Sequence, residues 1–366
     1  MKNLYCLLLG VLAFAGVRAQ NTSEQVIRVQ DLRERWFAAD NPNIQYMGRI
    51  DLSNPKLPRF WDPGITVRFH FRGPQCRIVL HDQVPDDKIH NYVLVLMDGN
   101  LGGYRVKLAG QTDTLTFLGN GRAPDPNGDH TVTICKATEG IGWMEFGGVF
   151  ADALLPPPAL PDRKIEFIGN SITCGFGNDA SGIPCGQGEW FDQHNAWMSC
   201  GALTARTLKA QWYLTAVSGI GLIHSCCQMT ITMPEVFDRM DSRGNQGNWD
   251  FKRYQPDVVT VCLGQNDGIQ DSTAFCSAYL QFVRHLREVY PAARIVLLTS
   301  PMGNAELTSV LKRYLDGVVG ASGDQQVSSF FFSKQWSHGC FGHPDIKEDL
   351  EIARELTDYL QGLMHW

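Results

Sequence analysis

Hydrophobic positions along this chain follow two rhythms, and the change between them falls near residue 155. Before it they alternate with polar positions in short bursts, such as Ile65-Thr66-Val67-Arg68-Phe69-His70-Phe71, Arg77-Ile78-Val79-Leu80 and Tyr92-Val93-Leu94-Val95-Leu96. A period of two puts every second side chain on one face, so each burst reads as a β-strand with one face toward a core. Turn-forming residues separate the bursts at Asp98-Gly99-Asn100, Gly119-Asn120-Gly121 and Asp125-Pro126-Asn127-Gly128. Strands at this spacing predict an antiparallel β-sandwich of jelly-roll type over residues 20–155. The run Leu155-Pro156-Pro157-Pro158-Ala159-Leu160-Pro161 then predicts a stiff joint, with the proline-rich linker at 156–161.

From residue 162 to 366 the pattern becomes apolar strand, then helix, repeated. Strand candidates are Ile165–Ile168, Trp212–Val217, Val258–Leu263, Ile295–Thr299 and Ser328–Phe332. Helical stretches include Ala274–Tyr290 and Glu306–Val319, and a last helix from about Ile346 to Leu363 aligns Ile346, Leu350, Ala353, Leu356 and Leu360 on one face. Continuously apolar strands are buried on both faces, which predicts a parallel sheet flanked by helices. The fold class is therefore an α/β domain preceded by an all-β sandwich, and 366 residues suit two cores better than one.

The first residues add an expected destination. Lys2, an apolar stretch from Leu4 to Gly16 and the small-residue ending Val17-Arg18-Ala19 have the layout of a secretory signal peptide over 1–19. The product is then secreted or periplasmic. No later segment holds about 20 consecutive apolar residues, so no membrane span is expected after the leader is removed. The net charge of -6 without a basic cluster argues against nucleic acid as a partner. Of the 11 cysteines, Cys6 leaves with the leader, and the even remainder permits disulfides whose pairing the sequence does not dictate. Neither a CxxC pair nor HExxH occurs, so the reading calls for no metal and no cofactor.

In a parallel sheet, reactive groups gather beyond the C-terminal ends of the strands. The first strand ends Gly169-Asn170-Ser171-Ile172-Thr173, which sets a serine on the turn after a buried strand. The commonest reason for a serine after a strand is a helix N-cap, the other reading of Ser171. The second strand ends Val217-Ser218-Gly219, the third Leu263-Gly264-Gln265-Asn266-Asp267, and His343-Pro344-Asp345 precedes the last helix. Gly-x-Ser, a later Gly, Gly-x-Asn-Asp and a late His-Pro, in that order, resemble the four blocks of SGNH hydrolases. The fuller strings Gly169-Asn170-Ser171-Ile172-Thr173-Cys174-Gly175-Phe176-Gly177 and Gln255-Pro256-Asp257-Val258-Val259-Thr260-Val261-Cys262-Leu263-Gly264-Gln265-Asn266-Asp267 resemble carbohydrate esterase family two, the acetylxylan-type esterases. In the front half, Gly48-Arg49-Ile50-Asp51 and His130-Thr131-Val132-Thr133 are similar to that family's jelly roll.

The resemblance implies an exported esterase that removes acetyl groups from carbohydrate such as xylan or mannan. A neutral hydroxyl is a poor nucleophile, so Ser171 needs a base, and His343 is the candidate. The resemblance assigns the oxyanion donors to the backbone N–H groups of Ser171 and Gly219 and to the Asn266 amide. Trp190, Trp249 and Trp336 are candidates to stack on sugar rings, although aromatic side chains more often pack. His224 and His338 match no block and read as structural. Two positions depart from the usual pattern. Cys340 stands where most SGNH enzymes carry the Asp that orients the histidine, which implies a Ser–His dyad with a backbone carbonyl or water on the second ring nitrogen. Asn170 stands where Asp is more usual. Two other readings stay open: a lipid or small-ester hydrolase on the same scaffold, and an inactive carbohydrate-binding protein. Acetate release from acetylated glycan, set beside a long-chain ester, separates them.

Overall fold

The computed structural model describes residues 34–100, 103–118 and 128–366. The expected leader at 1–19, Gly119-Asn120-Gly121 and Asp125-Pro126-Asn127 lie outside the described residues. Strands and helices are numbered in chain order.

The alternating half forms two antiparallel sheets. One has the order β1 (Arg35–Ala38), β10 (Met144–Ala151), β5 (Gln75–Asp82), β8 (Thr112–Leu118), with β3 (Arg59–Phe60) also on β10. The other runs β11 (Ala153–Leu155), β4 (Thr66–Arg72), β9 (Asp129–Lys136), β6 (Tyr92–Met97), β7 (Tyr104–Lys107), with β2 (Ile44–Met47) on β4. Alternation sends Cys76, Ile78 and Leu80 of β5 inward against Phe69, Val93, Val132 and Phe146, one core between two sheets. β6 departs from the alternating expectation, because every one of its residues is buried. Val93 and Val95 face the sandwich core, whereas Leu94 and Leu96 join the core of the α/β half. A strand covered on both faces has no need of polar positions.

The α/β half is a 5-stranded parallel sheet in the order β13 (Ala210–Ala216), β12 (Arg163–Gly169), β14 (Val258–Val261), β15 (Arg294–Leu298), β16 (Val327–Phe330). On one face α2 (Cys200–Thr207) packs with α6 (Ile346–Met364). On the other lie α4 (Ser272–Val289) and α5 (Ala305–Ser322). Leu350 corrects the expected apolar face of α6, since it is 45% exposed while Ile352, Ala353, Leu356 and Leu360 are buried. The position one turn before Ala353 on the buried face is Asp349, which accepts hydrogen bonds from Asn178 Nδ2 at 2.8 Å and the Cys200 N–H at 3.2 Å. Leu350 is rotated about 100° away from it.

A buried ion pair joins the two halves. Arg49 reaches from the sandwich side to Glu166 in the middle of β12, with Nη2 to Oε1 at 2.9 Å and side-chain exposures of 1% and 0%. Its Nη1 also donates to the carbonyls of Phe237 and, at 2.9 Å, Arg239. Removing one member of such a pair strands a charge in the interior, which costs about 3–5 kcal/mol. Arg49→Ala is therefore expected to lose about that much in urea unfolding. A loss under about 1 kcal/mol, the value of an exposed pair, would contradict the role given to this contact.

Candidate active site

β12 lies between β13 and β14, so the three loops leaving their C-terminal ends are neighbours along one edge of the sheet. Ser171 opens the one-turn helix α1 (Ser171–Cys174) directly after β12. Gly169 permits this sharp exit, because a Cβ there would meet Thr173 Oγ1 at 2.1 Å. Asn170 caps the helix by accepting the Ile172 N–H at 3.3 Å, and its amide donates to the Cys262 carbonyl at 3.5 Å. The side chain standing where Asp is more usual thus ties the first strand end to the third.

His343 arrives from the far end of the chain with Nε2 2.8 Å from Ser171 Oγ. A disulfide between Cys185 and Cys340 anchors the loop that carries it. Within that loop the His343 N–H bonds the Cys340 carbonyl at 3.2 Å and the Gly339 N–H bonds the His343 carbonyl at 2.7 Å. Phe176 packs its ring 4.4 Å from the imidazole. Nδ1 is buried, without a hydrogen bond of ordinary geometry among the described residues, and it faces the carbonyls of Cys340 and Phe341. Burial moves the His343 pKa below the ordinary value of 6.5, against the opposing pull of those carbonyls and of Glu139.

The second and third loops are locked together. Gly219 adopts φ 86°. The Asn266 amide donates to the Ile220 carbonyl at 2.8 Å, and its other N–H has no partner among the described residues. Asp267 accepts the N–H groups of Leu222 at 2.9 Å, Ile223 at 2.7 Å and His224 at 3.0 Å. The Gly-x-Asn-Asp block therefore shapes the Gly219 loop through its Asp and leaves an amide donor free on its Asn. Ser171, Gly219, Asn266 and His343 all belong to this edge.

Two groups at the site have no counterpart in the sequence reading. Glu139, from the sandwich half, is fully buried and accepts the Ser218 N–H at 2.8 Å and Arg243 Nη2 at 2.6 Å. Burial opposes its ionisation, yet Arg243, His194 and Ser218 outweigh burial and hold it near 2. His194, 4.0 Å from Glu139, is pushed down to about 3 by burial and stays neutral. Its ring lies 4.6 Å from Phe176, on whose ring His343 also packs. Neither residue sits in a recognisable motif, because the groups they meet are distant in sequence.

The tryptophans divide. Trp190 is 38% exposed and stacks on Phe176 with ring centres 5.9 Å apart. The sugar-stacking expectation fails for Trp249 and Trp336, which are 4% and 1% exposed. Trp249 packs on Tyr213 and under Arg49, and Trp336 donates to Glu351, so neither offers a ring face. His224 and His338 stay outside the site; His338 is an exposed partner of Glu348.

Residues 46–158 match the family model for the carbohydrate esterase 2 N-terminal domain, and residues 167–325 match the GDSL-like lipase/acylhydrolase family. Fold and site together define a GDSL-like hydrolase with an attached β-sandwich. The chain is 30% identical over 343 residues to the acetylxylan esterase / glucomannan deacetylase of Cellvibrio japonicus (strain Ueda107), spanning 90% of this chain and 91% of that protein. It is 32% identical over 342 residues to the cellulase/esterase CelE of Acetivibrio thermocellus, spanning 89% of this chain but 40% of that longer protein. A family two carbohydrate esterase from Clostridium thermocellum, solved in complex with cellohexaose, is 29% identical with a TM-score of 0.79 and matches 88% of this chain and 99% of that one. The chain belongs to carbohydrate esterase family two, a family of carboxylic ester hydrolases.

The disulfide supplies a test of what holds His343. It closes a loop of 155 residues, so losing either cysteine is expected to cost about 2–5 kcal/mol of stability. Cys185→Ser and Cys340→Ser should lower the melting temperature equally, and each folded variant should keep kcat within about tenfold, since neither sulfur serves as the missing acid. A thousandfold loss of kcat in folded Cys340→Ser, with Cys185→Ser unaffected, would contradict this.

Proposed function

We propose that this chain is an exported serine esterase that removes acetyl groups from polysaccharide or oligosaccharide, with Ser171 as nucleophile and His343 as base. The observation that carries the reading is the 2.8 Å approach of His343 Nε2 to Ser171 Oγ at the strand-end edge of the sheet. The acetylxylan esterase and glucomannan deacetylase activities in the names of its relatives point to the substrate, and the Lys2–Ala19 leader points to export.

His343 Nε2 takes the Ser171 proton as Oγ forms a bond to the acetyl carbonyl carbon. The oxygen, now anionic, is held by the N–H groups of Ser171 and Gly219 and the free N–H of Asn266. When the carbonyl re-forms, the bond to the sugar oxygen breaks and His343 returns the proton to that oxygen. Water, deprotonated by His343, then attacks the acetyl-serine carbonyl; the bond to Ser171 Oγ breaks, His343 returns the proton to Oγ, and acetate leaves. With Nε2 accepting, the resting proton sits on Nδ1, turned to the Cys340 and Phe341 carbonyls. These carbonyls take the part that an acid plays in a triad, and the unit is a dyad. Glu139 adds the long-range negative charge that favours the imidazolium and holds the backbone before Gly219. Trp190 is the platform for the sugar ring.

Ser171→Ala and His343→Ala are each expected to lower kcat by about 10⁶, and the double variant by no more, because the pair acts as a unit. Asn266→Ala should lower kcat by about 10²–10³ with little change in KM, since its bond strengthens only as the oxyanion forms. Initial rates on an acetyl ester with matched circular dichroism decide both. Ser171→Ala retaining a tenth of the parental rate would end the serine-esterase reading.

The base must be neutral, so kcat/KM falls as pH drops through the His343 pKa, below 6.5. Glu139→Gln removes a charge that raises this pKa, so the acid limb should move to still lower pH. An acid limb centred at 7 or above, or a shift upward in Glu139→Gln, would contradict the assignment.

A further inference from the structure

A cavity of about 400 Å³ opens between the two halves, away from the edge that carries Ser171. Gln211 and Trp212, at the beginning of β13, line it, whereas Ser218 and Gly219 follow the far end of that strand. Extended chain of this length spans about 20 Å, so the cavity is a separate place and not an annex of the ester site. Its volume is within the usual range of small-molecule sites.

Strand register builds one wall. Gln45 of β2 pairs with Arg68 of β4, and Arg68 pairs with Thr133 of β9. An amide, a guanidinium and a hydroxyl therefore stand side by side across the sheet. Trp197 and Trp212, largely buried at 8% and 7% exposure, also line the cavity, with the Arg206 guanidinium 3.9 Å from the centre of the Trp197 ring. Lys209, exposed, stands at the rim.

The charge of this lining is one-sided: Arg68, Arg206 and Lys209 contribute cations and no Asp or Glu lines the cavity. Arg206 is partly engaged, donating to the Trp197 carbonyl at 2.6 Å. Arg68 makes no hydrogen bond or ion pair among the described residues, and its Nε is buried without a partner, as is Gln45 Oε1 beside it. Burial lowers the pKa of both arginines, yet Arg206 at about 10 remains charged at neutral pH. A partly buried guanidinium with unused donors, next to an unused acceptor in a lining without Asp or Glu, is complementary to a small molecule that carries a carboxylate and hydroxyls.

We propose that this cavity is a second saccharide site that takes a carboxylate-bearing sugar ring, a uronic acid, independently of ester cleavage. Arg68 meets the carboxylate, and Gln45 and Thr133 meet hydroxyls. The choice of a sugar over another carboxylate rests on the carbohydrate-esterase reading; the carboxylate follows from the lining alone.

Calorimetric titration of the full chain with glucuronate, glucose and benzoate tests this, and repeating it in Ser171→Ala separates it from the ester site. Glucuronate should bind in both proteins, with glucose and benzoate at least tenfold weaker. Arg68→Gln should weaken glucuronate at least tenfold and leave the esterase rate unchanged. Lys209→Gln, at an exposed rim position where folding is not at stake, should weaken it a few-fold. Glucose binding as well as glucuronate, or no glucuronate binding at all, would overturn the site. Benzoate binding as well as glucuronate would overturn its assignment to sugar while leaving the Ser171 chemistry untouched. Loss of glucuronate binding in Ser171→Ala would place the ligand at the ester site and likewise overturn the proposal.

Discussion

A hydrogen bond of 2.8 Å joins Ser171 and His343 across 172 residues of sequence, and most of the α/β half can be understood as the means of holding its two ends. One end is stiff by construction. Ser171 follows a buried parallel strand through a turn that only glycine at 169 permits, and Asn170 ties that turn to the neighbouring strand end. The other end hangs on a short loop. It is made rigid by the Cys185–Cys340 disulfide, by the Phe176 ring and by Asp345, which caps α6 in a reciprocal arrangement with Glu348.

The sandwich half contributes to the site as well as to the bulk. Its Glu139 crosses to the second loop and accepts the N–H of Ser218, the residue before Gly219. A carboxylate held ionised in the interior requires compensation, and Arg243 supplies it at 2.6 Å. Arg49 makes the reverse crossing, a cation from the sandwich side set against Glu166 of β12. Two buried charges passing in this way tie the geometry of the strand-end edge to the docking of the halves. The front half is then part of the enzyme and not a detachable module.

What could be read from sequence was whatever depends on local order. Period-two runs marked β4 and β5, continuous apolar runs marked the parallel strands, and four short blocks marked Ser171, Gly219, Asn266 and His343. What could not be read depends on partners distant in sequence. β6 looked one-faced because its second covering comes from the other half. Leu350 looked buried because periodicity does not say that Asp349 occupies the inner position. Trp249 and Trp336 are as aromatic as Trp190, and only packing distinguishes a covered ring from an exposed one. Glu139 and His194 carry no spacing signal, since the groups that define them arrive from elsewhere in the fold.

The account rests on a covalent acetyl-serine, and the most direct measurement is to look for it. Acid-quenching the protein milliseconds after mixing with an activated acetyl ester, followed by peptide mass spectrometry, should find the mass of one acetyl group on the peptide containing Ser171. It should be absent in Ser171→Ala. Full turnover with no acetyl on Ser171 at any quench time, or acetyl carried by another residue, would contradict the account.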